Sequence, residues 1–444
     1  MTLLKPIRLK DLSKDEIVCL LQRSRIDISQ VEKRVKEIIE RVKKYGDDEI
    51  VRFYREFYGR EVLTKETISV SEEEFEKAYE KVSRELIEAL EHAKNNIKVF
   101  HKRQLPPNLW SIEVERGVYA GQVWKPLDSI GVYIPSGRAI YPSTVLMTIV
   151  PAKVAGVPRI IACTPPREDG SIHPAILVAL DVVGVRRVYR VGGAHAIAAL
   201  AYGTETIPRV EKVIGPGGIW VTAAKRLLQG VVDIDFIAGP SEILIIADES
   251  ANPQYVALDL IAQAEHDPAA AAILVATSEK LANKVAEILS KYVQVSLRKS
   301  IIEESLKKYG AIIVVDSLDE AFEFANKYAP EHIEIQVKDI SLVEVLNKIR
   351  NAGSIFIGPY TPVALGDYII GTNHVLPTTM IAKRRGGLSV YDYIKFIDFQ
   401  YVTREGYRKL YRHAMILAEV EGLIEHKNSI KVRLRKTLKA RKSL

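Results

Sequence analysis

From Ser129 onward the chain alternates short apolar runs with longer helical ones, and this alternation most constrains what it can fold into. Ile130 to Ile134 precedes a helical pattern over Ser143 to Ala155, and Arg159 to Cys163 precedes one over His173 to Val183. Arg187 to Val191 is followed by His195 to Tyr202, and Lys212 to Ile214 by Ile219 to Leu228. A βαβα series of this kind builds a mainly parallel sheet, because each helix is the crossover that returns the next strand alongside the last. A second series places strands near Ile243 to Ala247, Ala272 to Ala276, Ala311 to Val315, His332 to Gln336 and Ser354 to Ile357. The fold class expected is α/β, with two doubly wound, mainly parallel domains, each an incomplete Rossmann-like sheet.

The first hundred residues are charged and helical in pattern. Val31, Val35, Ile38, Ile39 and Val42, and then Phe75, Tyr79, Val82, Leu86 and Leu90, recur at helical spacing, giving amphipathic helices that cover something larger. The stretch from Ser389 onward reads as mostly helical. The division expected is a helical segment over 1–24, one α/β domain from 25–128 with 243–388, a second over 129–242, and a small helical C-terminal domain over 389–444.

Composition removes several function classes. A hydrophobic fraction of 47% over 444 residues supports real cores and excludes a disordered or fibrous chain. No apolar run reaches the roughly 18 residues of a membrane span, and the start of the chain lacks a signal peptide's apolar core. Cys19 and Cys163 are the only cysteines and form no Cys-x-x-Cys pair, so a cytoplasmic setting is expected and any metal must use nitrogen and oxygen ligands. The net charge of +7 comes from the seven Lys and Arg after Ile430; without them basic and acidic residues balance at 56 each. That basic end reads as a solvated tail, and neither a nucleic-acid nor a membrane partner is expected.

Two strands run into glycine turns, Val191-Gly192-Gly193 and Ile214-Gly215-Pro216-Gly217-Gly218, each before a helix. Such a turn exposes backbone N–H groups to a phosphate, or it simply permits a tight connection; the full G-x-G-x-x-G pattern is absent. Four of the nine histidines, His266, His332, His374 and His426, sit in acid-bearing segments of the second half. Asn252 and Pro253 start a helix that carries Gln263 and His266 at i and i+3 near its end, either a metal-binding turn or a polar helix terminus. Glu331 and His332 follow Pro330 between a helix and a strand, at the edge of the sheet, where a carboxylate and an imidazole can share acid and base work or form an ordinary surface pair.

Longer segments are more specific. Gly131-Val132-Tyr133-Ile134-Pro135, Pro142-Ser143-Thr144-Val145-Leu146-Met147, Pro151-Ala152-Lys153-Val154-Ala155-Gly156-Val157, Ala238-Gly239-Pro240-Ser241-Glu242, Gln263-Ala264-Glu265-His266, Ala329-Pro330-Glu331-His332, Gly366-Asp367-Tyr368, Asn373-His374-Val375-Leu376-Pro377-Thr378 and Glu421-Gly422-Leu423 together span Lys125 to His426. Through them the chain resembles the histidinol dehydrogenases. The resemblance implies a zinc-dependent enzyme that oxidises L-histidinol to L-histidine by way of the aldehyde, with two NAD. It implies zinc bound by Gln263, His266 and Asp367 of one subunit and His426 from the partner subunit, hence a homodimer with a shared site and a dimer-contacting C-terminal tail. It implies His332 as the base for the alcohol proton and Glu331 as the activator of water, with Ser241, His374 and Glu421 joining the metal ligands and His332 around the substrate. It places the cofactor on the 129–242 side, at Tyr133, His195 and Gly218.

The cofactor region is where the chain departs from the pattern. The usual Gly-Gly-Ala-Gln reads Gly192-Gly193-Ala194-His195, the usual Gly-Pro-Gly-Asn reads Gly215-Pro216-Gly217-Gly218, and Ser136 stands where glycine is usual. Two amides that would contact the dinucleotide are lost, and a raised Michaelis constant for NAD is expected. Two other readings compete: a relative that oxidises another primary alcohol with the same machinery, and a non-catalytic or nucleic-acid-binding descendant.

Overall fold

The computed structural model describes residues 3–23, 28–137 and 139–439. They form two compact units, one from residues 1–104 and 127–393 and the other from 105–126 and 394–444.

The larger unit contains both parallel sheets. The five-stranded sheet runs in the order Val188–Arg190, Arg159–Thr164, Ser129–Tyr133, Lys212–Ile214, Asp233–Ile234. Its chain order reverses beside Ser129–Tyr133, so a crevice opens where that strand ends at Tyr133, the usual ligand position in open α/β sheets. The six-stranded sheet runs in the order Pro6–Arg8, Gly310–Val314, Ala271–Ala276, Glu242–Ala247, His332–Gln336, Ser354–Ile357, and is parallel throughout. Nine strands expected from the sequence occur, shifted by at most a residue at either end.

Strand alternation then assigns faces. Ile333 and Ile335 join Leu244 and Ile246 in a core completed by Phe322, Ala325, Tyr328 and Val345. The opposite face of the sheet packs Ile243, Ile245 and Phe356 against Val256, Leu260 and Ala264 of the helix Pro253–Ala264. Since His332 pairs in register with Ile243, its side chain lies on the Pro253–Ala264 side. Each buried Ile or Leu here contributes about 1.5–3 kcal/mol.

Three expectations are refined. The segment before residue 24 is not only helical: Pro6–Arg8 pairs with Gly310–Val314 as an edge strand, and a three-residue strand leaves no periodicity to read. The region after Ser389 is not simply helical either. Ile394–Val402 pairs antiparallel with Val118–Pro126, which also pairs with Leu109–Glu115, and this sheet belongs to the second unit with the helices Arg404–Val420 and Ile424–Lys439. The exposed Leu109–Glu115 strand lacks an inside-outside alternation, which hid it. The basic end is helical through Lys439. Third, Val35, Ile39 and Val42 of Ser29–Tyr45, and Ile50 and Tyr54 of Asp47–Tyr58, pack against Ala194–Ala201 and Val221–Leu228 on the five-stranded sheet, although the sequence reading grouped 25–128 with 243–388.

Candidate active site

The main chain of one residue, Glu242, holds Glu331 and His332 together. Its N–H donates to Glu331 Oε2 at 2.8 Å, and its carbonyl faces His332 Nδ1 at 3.0 Å. A carbonyl only accepts, so Nδ1 carries the proton and Nε2 is left as a neutral acceptor. That Nε2 is buried without a protein partner and lies 3.8 Å from Asp367 Oδ1. Burial pulls the imidazole pKa down, while Asp367 and the Glu242 carbonyl oppose the shift, so the ring is neutral near pH 7. Burial pushes the Glu331 carboxyl well up, against the Glu242 N–H, with the Glu242 and Asp367 carboxylates adding to the rise.

The pair sits at the amino end of its strand, and that strand is interior, between Glu242–Ala247 and Ser354–Ile357. The expected sheet-edge placement is therefore corrected. The helix Leu318–Tyr328 stops at Ala329, whose φ of 52° breaks the helical path, and Pro330 then turns the chain into the strand.

Asn252 caps the neighbouring helix, accepting from the Gln254 N–H at 2.9 Å, with Pro253 in the first turn as the sequence indicates. The helix ends at Ala264, so Gln263 lies in its last turn and His266 just past it, rather than both on one helical face. Gln263 is buried with Nε2 unpartnered, at a cost of about 1–3 kcal/mol unless a bound group satisfies it. Asp367 comes from the short helix Val363–Tyr368; its carbonyl accepts from His374 Nδ1 at 2.9 Å, turning His374 Nε2 toward Thr144 Oγ1, 3.4 Å away. His266, Asp367 and His374 line one cavity of about 510 Å³ with Glu265, Tyr141 and Ser143. Ser241 is half-buried directly before the Glu242 strand.

These donors suit a divalent metal. Gln263, His266 and Asp367 offer amide oxygen, imidazole nitrogen and carboxylate oxygen, a donor set within the range of such an ion, while the unpartnered Gln263 Nε2 would meet an acceptor on a bound group and not the ion itself. Among the described residues no cluster of three or more His, Cys, Asp or Glu could hold a metal. A metal here therefore needs the carboxamide and a further donor. Glu421 and His426 belong to the second unit and are exposed, Glu421 at the end of Arg404–Val420 and His426 on Ile424–Lys439.

A larger cavity of about 940 Å³ opens at the crevice of the five-stranded sheet, lined by Tyr133, Gly192, Gly193, His195 and Trp220 among others. The Tyr133 hydroxyl accepts from the Gly193 N–H at 3.2 Å, and the Tyr54 hydroxyl from the Gly192 N–H at 2.8 Å. Gly215, at φ 118°, must be glycine, because a Cβ there would stand 2.2 Å from the Tyr133 carbonyl oxygen. Gly218 begins the helix Ile219–Leu228 in open space, and from this turn Trp220 lines the cavity.

His195, which stands where the family's amide is usual, lines this cavity, and its ring has other company as well. It stacks on Phe53 at 4.0 Å between centroids and brings Nε2 within 3.9 Å of Glu49 Oε1. Burial alone would raise the Glu49 carboxyl; the nearby His195 ring and the hydrogen bonds from Arg52 and Arg41 reverse this and hold it ionised. Glu49 escaped the sequence reading, because its helix Asp47–Tyr58 looks like any charged amphipathic helix and nothing local marks one of its acids as buried. Glu242 was read only as part of a motif, since a role played by backbone atoms leaves no residue-type signature.

The chain matches known proteins along nearly its whole length. The family model described as histidinol dehydrogenase matches residues 21–434. The histidinol dehydrogenase of Methanothermobacter thermautotrophicus is 51% identical over 94% of this chain and 96% of its own length. That of Methanocaldococcus jannaschii is 46% identical over 96% and 98%. A crystal structure of histidinol dehydrogenase from Elizabethkingia anophelis superposes with a TM-score of 0.93 at 37% identity, covering 98% of this chain and 99% of that one. On the match of nearly its whole length, this chain belongs to the histidinol dehydrogenase family.

Proposed function

We propose that the chain oxidises L-histidinol to L-histidine in two steps through the aldehyde, using two NAD, at a site completed by zinc and by a second copy of the chain. The observation that carries this is the Glu242 main-chain bracket, which leaves His332 Nε2 as a free buried acceptor beside a carboxyl of raised pKa.

Bound zinc would supply a cation that orients the substrate's nitrogens, and bound NAD the hydride acceptor. Gln263, His266 and Asp367 would hold the metal with His426 of the partner subunit. His332 Nε2 takes the alcohol proton as the first oxidation proceeds, its Nδ1–H staying on the Glu242 carbonyl so that the tautomer does not change. Glu331 as carboxylate takes a proton from water that adds to the aldehyde, and the hydrate is the species oxidised in the second step. A raised pKa makes Glu331 a stronger base once ionised. Ser241, His374 and Glu421 would contact the substrate, Glu421 meeting a cationic amino group. A site closed over the bound substrate would retain the aldehyde between steps.

Dimerisation is supported by the second unit's own surface, which exposes Leu109, Ile112, Val114, Leu417 and Val420. No helix among the described residues is long and apolar enough to cross a membrane. The test is NADH formation from L-histidinol, with and without a chelator. About two NADH per substrate, lost on chelation, is expected; one per substrate would remove the second oxidation, and turnover only with other primary alcohols would reassign the substrate.

A further inference from the structure

The catalytic pair is held by Glu242, and Glu242 is held by a residue from the far end of the chain. Arg23 ends the helix Lys14–Gln22, which Ser13 and Glu16 close with a capping box. Its side chain is only 3% exposed and that of Glu242 2%, so this is a fully desolvated ion pair. Arg23 Nη2 donates to Glu242 Oε1 at 3.0 Å while Nε faces Oε2. The same guanidinium donates through Nη1 to the Tyr328 carbonyl at 2.6 Å and through Nη2 to the Ala329 carbonyl at 3.0 Å, and lies 3.7 Å over the Tyr328 ring. Those carbonyls belong to the turn that delivers Glu331 and His332. The remaining capacity of the Glu242 carboxylate accepts the Thr379 N–H at 2.7 Å.

A second observation points to the same place. Among the described residues, four that are not glycine have positive φ: Arg23 at 36°, Ala329 at 52°, Thr379 at 49° and Met380 at 64°. Three are members of this network and the fourth adjoins it. Such conformations persist only where the surroundings over-determine them, and they concentrate where a protein invests stability in positioning.

We propose that Arg23 is a positioning residue for the reaction: it sets the Glu331–His332 pair from both sides, through the two carbonyls before it and through the Glu242 backbone that brackets it. This rests on the reading of Glu331 and His332 as catalytic. Both routes need the planar fork of arginine, since an ammonium cannot span a carboxylate and two carbonyls in one plane. The N-terminal segment thereby becomes part of the active site's framework without touching substrate. Its strand Pro6–Arg8 and helix Lys14–Gln22 anchor the arm that carries Arg23.

The test uses the full-length enzyme with zinc, and kcat is normalised to titrated active sites. His332→Asn and Glu331→Gln come first; if both keep wild-type kcat, the catalytic reading itself fails, whatever Arg23 does. With that reading standing, Arg23→Met should lower kcat about 10- to 100-fold and leave both KM values within about twofold, because alignment is lost and not binding. Arg23→Lys, which keeps the charge, should fold and recover only part of the rate. Arg23→Met/Glu242→Gln should be no slower than Arg23→Met, because the double variant removes the charge left unpaired in the interior. A purely structural role predicts a lower melting temperature and fewer active sites, with unchanged kcat per site. That outcome, wild-type kcat per site in Arg23→Lys, or independent multiplication of the Arg23→Met and Glu242→Gln effects, would overturn the proposal.

Discussion

His332 Nε2 and Asp367 Oδ1 stand 3.8 Å apart in the interior, an imidazole acceptor facing a carboxylate across a gap in which neither is bonded to the other. A substrate hydroxyl entering that gap would have its proton acceptor already oriented.

His332→Asn keeps an N–H where Nδ1–H meets the Glu242 carbonyl and deletes the acceptor. Its kcat for L-histidinol should fall about 10²- to 10⁴-fold with a small change in melting temperature. Steady-state kinetics with circular dichroism melting checks both; a near-normal kcat would assign the base elsewhere.

Glu331→Gln retains an oxygen for the Glu242 N–H but cannot take a proton from water. The two oxidations should then separate, with the first NADH formed at nearly the normal rate and the second slowed about 100-fold. Rapid-mixing absorbance, together with trapping of the aldehyde, distinguishes this from equal slowing of both steps, which would contradict the assigned role.

Chelation should abolish turnover and added zinc restore it. His266→Ala and Gln263→Leu should each lower zinc content measured by elemental analysis after dialysis, with affinity losses of about tenfold or more. Full zinc occupancy in both variants would remove these residues from the ligand set.

His195→Gln restores the family's amide. Since an amide can also bond Glu49, the change should lower KM for NAD several-fold without altering metal content. If the wild-type chain already binds NAD as tightly as ordinary family members do, the expected weakening is wrong, and the His195–Glu49–Phe53 arrangement compensates for the lost amide in full.

His101 supplies a pH dependence of stability. It is fully buried, with Nδ1 2.7 Å from Gln104 Oε1 and Nε2 3.4 Å from Asn373 Nδ2, and burial pulls its pKa down to about 4. Between about 6.5 and about 4 the unfolded chain binds a proton that the folded chain does not, so stability falls as pH falls through that window. The full effect is on the order of 3 kcal/mol. Denaturant melts at pH 7 and pH 4.5 should show a smaller acid loss in His101→Gln than in the wild type; identical losses would mean the ring titrates alike in both states.

What the sequence by itself determined follows from local rules. Alternating strand and helix periodicities placed nine of the ten parallel strands from Ser129 to Ile357 within a residue or two, missing only the two-residue Asp233–Ile234, because each periodicity is written in neighbouring residues. The Asn252-Pro253 helix start was equally readable, since a cap and its N–H lie two residues apart. Motif resemblance named Gln263, His266, Glu331, His332, Asp367 and His374, because side-chain chemistry restricts residue type at those points. Tertiary structure alone decided the rest. It put Glu49 against His195, moved the Glu331–His332 pair from a sheet edge to an interior strand, and paired Val118–Pro126 with Ile394–Val402. It also gave Glu242 and Arg23 their places around the pair, through backbone atoms and an ion pair spanning 219 positions of chain. Such contacts have no local period, and a carbonyl or N–H is common to nearly every residue, so their use is visible only once the chain has closed on itself.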